Sequence, residues 1–105
     1  MEKLTFSYKA SKRVRNRAHV GVAGSGDLEV LMEPSREDLA LVIVRTSVDG
    51  FGETWKALLD RFFATYEAAV SVEINDFGAK PGVVSLRLAQ AMEVCQREGN
   101  DSSKT

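Results

Sequence analysis

Gly24-Ser25-Gly26-Asp27 sets one primary alcohol between two glycines. A short apolar run, Val20 to Ala23, leads in, and another, Leu28 to Leu31, leads out. Glycine removes the Cβ crowding, so the Ser25 hydroxyl is open to a large partner, and backbone N–H groups in such a turn can face a phosphate oxygen. A phosphodiester on Ser25 would hold a long flexible group outside the fold, where other proteins act on it. From spacing alone the plainer reading is a glycine-rich turn in which serine is only a tolerant polar residue.

Other chemistry fits these residues less well. Nucleophilic catalysis through Ser25 needs a base within hydrogen-bond reach, and His19, the one histidine, lies six residues upstream on the incoming strand. Asp27 also takes the place of the last glycine of a Gly-x-Ser-x-Gly elbow. Gly21, Gly24 and Gly26 miss the Gly-x-Gly-x-x-Gly order of a dinucleotide site, and a strand follows them rather than a helix. One histidine and one cysteine, with no close carboxylate pair at ligand spacing, argue against a metal site.

A serine offered in this way must be positioned by a hairpin. Runs joined by a glycine-containing connection predict two antiparallel strands with Ser25 at the tip, the second ending near Glu33-Pro34-Ser35. Before it, Leu4 to Tyr8 alternates as a half-buried strand. Lys12, Arg13, Arg15 and Arg17 then form a basic run, read as a solvated connection or as a surface for an acidic partner or an anion.

After the hairpin, Leu39 to Val44 is a continuous β-rich run, expected to be a central strand covered on both faces. Trp55, Leu58, Leu59, Phe62, Phe63 and Tyr66 share one helical face and are taken as core. Val70, Val72 and Ile74 alternate as a strand, closed by the turn-rich stretch Asn75 to Gly82. Val84, Leu86 and Leu88 alternate again, predicting a strand that passes into a C-terminal helix from Leu88; a single helix from Val83 is the alternative. The fold class is α+β, a mostly antiparallel sheet of about five or six strands with two helices on one face.

The chain has 105 residues, of which 44% are apolar and 28% charged, as expected of a single folded domain. We expect that domain over residues 1–98 and a flexible tail over 99–105. Fourteen basic against fifteen acidic residues argue against nucleic-acid binding by bulk charge. A lone cysteine, Cys95, the lack of a signal pattern and apolar runs too short to span a bilayer predict a cytoplasmic protein without membrane contact.

Val22 to Leu31, Thr46-Ser47-Val48-Asp49 and Asn75 to Val83, in this order and spacing, resemble the acyl-carrier (delta) subunit of malonate decarboxylase, over about Leu4 to Arg97. The resemblance implies a non-catalytic carrier. Its Ser25 would bear 2′-(5″-phosphoribosyl)-3′-dephospho-coenzyme A through a phosphodiester, with Gly24, Gly26 and Asp27 completing the binding motif. It implies as partners a prosthetic-group transferase and the acyl transferase and decarboxylase subunits, which exchange acetyl for malonyl and remove carbon dioxide. The related citrate lyase carrier is expected to have Glu at position 24 and a polar residue at 77, so Gly24 and Phe77 favour the malonate enzyme. An unmodified α+β interaction module is the alternative from a different class.

Overall fold

The structure, a computed structural model, describes residues 1–21 and 26–97. The expected tail over 99–105 lies outside the described residues. Five strands and two helices follow one another as β1 (Glu2–Lys9), β2 (Ala18–Val20), β3 (Leu28–Pro34), β4 (Leu39–Thr46), α1 (Gly52–Thr65), β5 (Val70–Asp76) and α2 (Pro81–Gln96). The strands form one sheet in the order β1-β4-β5-β3-β2. All its pairs are antiparallel except β4–β5, which is parallel and is connected through α1. The α+β class is as the sequence predicts.

Alternation decides which face is buried. Val42, Val44, Val72, Ile74, Val30 and Met32 point to one side of the sheet. There they form a single core with Trp55, Leu59 and Phe63 of α1 and Val84, Leu88, Ala91, Met92 and Cys95 of α2. Tyr8 stacks on Phe63 with ring centroids 4.9 Å apart, tying the edge strand β1 to α1. The aromatic stripe is therefore core, as its helical spacing suggests.

Two expectations fail here. β4 is covered on one face only. Ala40, Val42, Val44 and Thr46 are buried, whereas Leu39, Leu41, Ile43 and Arg45 are half-buried on the face that carries no helix. The run reads as continuous because Leu41 and Ile43 pack between strand neighbours on that open face, opposite Ser7 and Thr5 of β1 and Ser71 and Glu73 of β5.

Val84 to Leu88 is likewise helix, not strand. Pro81 stands in the first turn of α2, where its missing N–H costs nothing, and Lys80 before it is extended. Val84, Leu88, Ala91, Met92 and Cys95 then fall on the buried face, while Leu86 is 57% exposed. A strand would have buried Leu86 with Val84 and Leu88.

Candidate functional site

The β2–β3 ladder ends at Val20 opposite Val30, and residues 21–27 connect the two strands. The hairpin is thus present. Ser25 and Gly24 lie outside the described residues; Gly26 and Asp27 are within them. Gly21 and Gly26 both take left-handed backbone, with φ of +90° and +74°. A Cβ on Gly21 would overlap the carbonyl oxygen of Leu28 and touch the Arg87 side chain, so this position is closed to any larger residue. At Gly26 no atom of the described residues lies within 4 Å of a built Cβ, and among them only the backbone conformation selects glycine.

Four hydrogen bonds fix the outgoing end of the connection. Gly26 N donates to the Phe77 carbonyl at 2.7 Å, and Phe77 N donates to the Asp27 carbonyl at 2.8 Å. The Asp27 carboxylate accepts from Leu28 N at 2.7 Å and from Arg87 Nη2 of α2 at 2.8 Å. Asp27 thus holds its own turn and also joins it to α2. Phe77 opens the β5–α2 turn, which is itself tied down by the buried Asp76. One Asp76 oxygen accepts from Gly78 N and Ala79 N at 3.2 and 2.9 Å, and the other accepts from Thr46 Oγ1 at 2.8 Å. Gly26 and Asp27 therefore rest on the junction of β3, β5 and α2.

Among the described residues, two groups of this junction bear on how a phosphodiester could be held. Gly26 N is already committed to Phe77. The Arg87 guanidinium is the cation beside this turn, paired with Asp27 through Nη2, and its buried Nε has no hydrogen-bond partner among the described residues. Such an orphaned N–H is costly unless something accepts from it. A phosphate oxygen is the acceptor an arginine fork matches best.

Beyond Phe77 the same turn borders a cavity of about 420 Å³ between the first turns of α1 and α2. Phe51, Trp55, Leu58, Ala79 and Val84 give it apolar walls, and Lys80 lies among the lining residues.

His19 is not joined to this junction. Its Nε2 lies 2.7 Å from Glu29 on the open sheet face, and Asn75 donates to the same carboxylate at 3.0 Å. Both bonds, Asn75's first, hold the Glu29 carboxyl below the usual range. The basic run is more built than a solvated connection. Arg13 pairs with Asp38 at 2.7 Å and donates to the Ser35 and Glu37 carbonyls, and Arg15 N and Asn16 N bond the Cys95 carbonyl of α2. Arg15 and Arg17 remain exposed. Cys95 is a buried free thiol whose pKa burial pushes up to about 11, which leaves it unreactive. Among the described residues no cluster of His, Cys, Asp or Glu is suited to a metal ion, and no helix is long and apolar enough to cross a membrane.

Sequence reasoning missed Arg87, Phe77 and Asp76 as parts of this junction. Arg87 and Asp27 stand 60 residues apart, and no local pattern links them. A helix begun at Pro81 would at least have set Arg87 to one side of the Val84–Leu88 face.

The family model for the malonate decarboxylase delta subunit (MdcD) matches residues 15–95. The chain belongs to this malonate decarboxylase acyl-carrier family. It is 52% identical to the malonate decarboxylase acyl carrier proteins of Azotobacter vinelandii and Pseudomonas aeruginosa (strain UCBPP-PA14), in each case over 89% of this chain and 95% of the relative. It also matches a chain in the crystal structure of a Pseudomonas malonate decarboxylase hetero-tetramer in complex with malonate. That match has a TM-score of 0.86 and 46% identity, over 90% of this chain and 99% of the other. The malonate decarboxylase delta-subunit match includes the whole loop from Gly21 to Asp27 and Arg87.

Proposed function

We propose that this chain is the carrier subunit of a malonate decarboxylase. It performs no bond chemistry itself and holds acetyl and malonyl thioesters on 2′-(5″-phosphoribosyl)-3′-dephospho-coenzyme A, attached to Ser25. The observation that carries the reading is the family match over residues 15–95, which spans Ser25 together with its glycines and the Asp27–Arg87 clamp. When bound, that group supplies a thiol for the acyl group. The protein's part is to present Ser25 and to steady the phosphodiester. Gly21 and Gly26 let the loop turn sharply at both ends, Phe77 and Asp27 pin its outgoing strand, and Arg87, held on Asp27, places a partly exposed guanidinium beside it for a phosphate oxygen.

The same reading gives the chain a prosthetic-group transferase, an acyl transferase and a decarboxylase as partners in the cytoplasm. The solved relative sits in a hetero-tetramer, which supports a multi-subunit setting. The pairing of His19 with Glu29 speaks against a serine hydrolase, since that imidazole is engaged on the open sheet face.

Mass spectrometry of the protein from cells grown on malonate tests this. The expected result is an increment equal to phosphoribosyl-dephospho-coenzyme A on the peptide containing Ser25. A phosphopantetheine increment would keep a carrier and overturn the family's arm. A bare serine, with the transferase present, would leave an unmodified interaction module.

A further inference from the structure

The cavity between α1 and α2 has no role in presenting Ser25, yet it opens beside the attachment loop. Gly26, the residue after Ser25, is bonded to Phe77, and the next residue, Gly78, lines the cavity. A Cβ built on Gly78 would lie 3.9 Å from Gly26 Cα, so loop and cavity rim are close neighbours. At about 420 Å³ the cavity falls within the range of small-molecule sites.

Its lining selects the kind of ligand. Trp55 and Phe51 put aromatic surface on it, and Val48, Leu58, Ala79 and Val84 are aliphatic. The two buried polar residues in its wall, Thr46 and Asp76, are bonded to each other and to the β5–α2 turn. The interior therefore calls for no charged or strongly polar group, and a malonyl carboxylate would be left unpaired there. Charge is supplied at Lys80, at the start of α2, whose first turn has no acidic residue and no side-chain cap. Phe51 is 51% exposed and Val48 38% exposed, an uncovered apolar lip. A flat, neutral, aromatic group joined to phosphates matches this pattern.

We infer that the cavity holds the adenine base of the covalent arm, leaving the pantetheine part and its thiol free to swing between active sites. This rests on the carrier reading above. The adenosine is the first apolar unit reached from Ser25 along that group, after one phosphate and one ribose. The cavity is an apolar space whose rim, the β5–α2 turn, is hydrogen-bonded to the loop's outgoing end. Anchoring the nucleotide shortens the mobile arm and fixes its point of departure at the Ser25 end of the sheet. Because tethering supplies an effective concentration of roughly millimolar, an intrinsically weak site is enough.

Trp55 is the only tryptophan in the chain and lines the cavity, so its emission reads the occupant directly. The full-length chain carrying Ser25→Ala is titrated with adenosine, with 3′-dephospho-coenzyme A and with pantetheine. In parallel, loaded and unloaded wild-type chains, their state fixed by intact mass, are compared. The expected result is saturable loss of Trp55 emission with adenosine and dephospho-coenzyme A, none with pantetheine, and the same loss in the loaded chain. Phe51→Ala, at an exposed position, should weaken dephospho-coenzyme A about tenfold, the size of one lost base–aromatic stack. Lys80→Glu should weaken dephospho-coenzyme A more than adenosine.

A response to pantetheine alone would overturn the assignment in favour of the acyl end. Unchanged Trp55 emission in a chain shown by mass to be loaded would overturn any arm site. A change seen only on adding the other subunits would make the cavity a docking surface. If mass instead shows Ser25 bare, the carrier reading fails, while the free-ligand titrations still decide whether the cavity takes a nucleoside.

Discussion

Arg87 Nη2 on α2 donates to Asp27 Oδ1, just before β3, across 2.8 Å, and the same guanidinium keeps a buried Nε without a partner among the described residues. The pair is partly shielded, with side-chain exposures of 25% and 34%. The two members are therefore not equivalent. Asp27→Ala leaves a half-buried cation with two unmatched donors, whereas Arg87→Met removes the orphan together with the pair. We expect Asp27→Ala to cost about 1–3 kcal/mol and Arg87→Met less, by urea unfolding. An equal or larger loss for Arg87→Met would mean that Nε finds an acceptor in the folded protein. Arg87→Met should nevertheless slow loading of Ser25 by the transferase, which intact mass over time would follow.

The two left-handed glycines differ in what surrounds them. Gly26→Ala meets no atom of the described residues and should bear the backbone penalty, about 1–2 kcal/mol. Gly21→Ala bears the same penalty and also presses on the backbone of Leu28 and on Arg87, so its melting temperature should fall further. Thermal unfolding of the two variants side by side checks the order, and a reversed order would place the tight crossing elsewhere.

The helical register of α2 is tested by leucines. Leu88→Ala, in the core, should cost about 2–5 kcal/mol, and Leu86→Ala, on the solvent side, should stay within about 0.5 kcal/mol. Comparable losses at both positions would restore the strand that their alternation suggests.

That alternation shows what was legible. The hairpin, β1, β5 and the aromatic face of α1 each rest on a local period that only one structure satisfies. Val84, Leu86 and Leu88 satisfy both periods, since a helix burying Val84 and Leu88 can leave one leucine between them in water. The alternative, a single helix from Val83, is the one the structure takes, begun two residues earlier at Pro81. β4 misled differently, because an open sheet face that shelters Leu41 and Ile43 among strand neighbours looks, in sequence, like a covered one. The Ser25 loop was visible from its glycines. Its supports were not, because Arg87, Phe77 and Asp76 reach it through the sheet and α2, and such contacts leave no spacing to read.

On the open face, Glu29 accepts from Asn75 and pairs with His19, and its folded pKa lies below the usual carboxylate value. A group depressed on folding contributes stability that is whole above the unfolded pKa and is lost as pH falls through the folded one. Wild-type stability should therefore decline on acidification from the ordinary glutamate range downward. Glu29→Gln should flatten that part of the profile, as read by urea midpoints across pH. A Gln variant with an unchanged acid slope would assign the dependence to other carboxylates.

The sheet order has a consequence for how the serine loop is completed. β5 is the last strand in the chain, yet it stands in the middle, between β4 and β3. Without it the sheet would be two separate ribbons, β1 with β4 and β2 with β3, each with an open edge where β5 belongs. Phe77, which follows β5, is also the residue that ties down Gly26 and Asp27. The serine loop thus gains these supports only once β5 is inserted, and an enzyme that recognises its finished shape requires a sheet already closed at its centre.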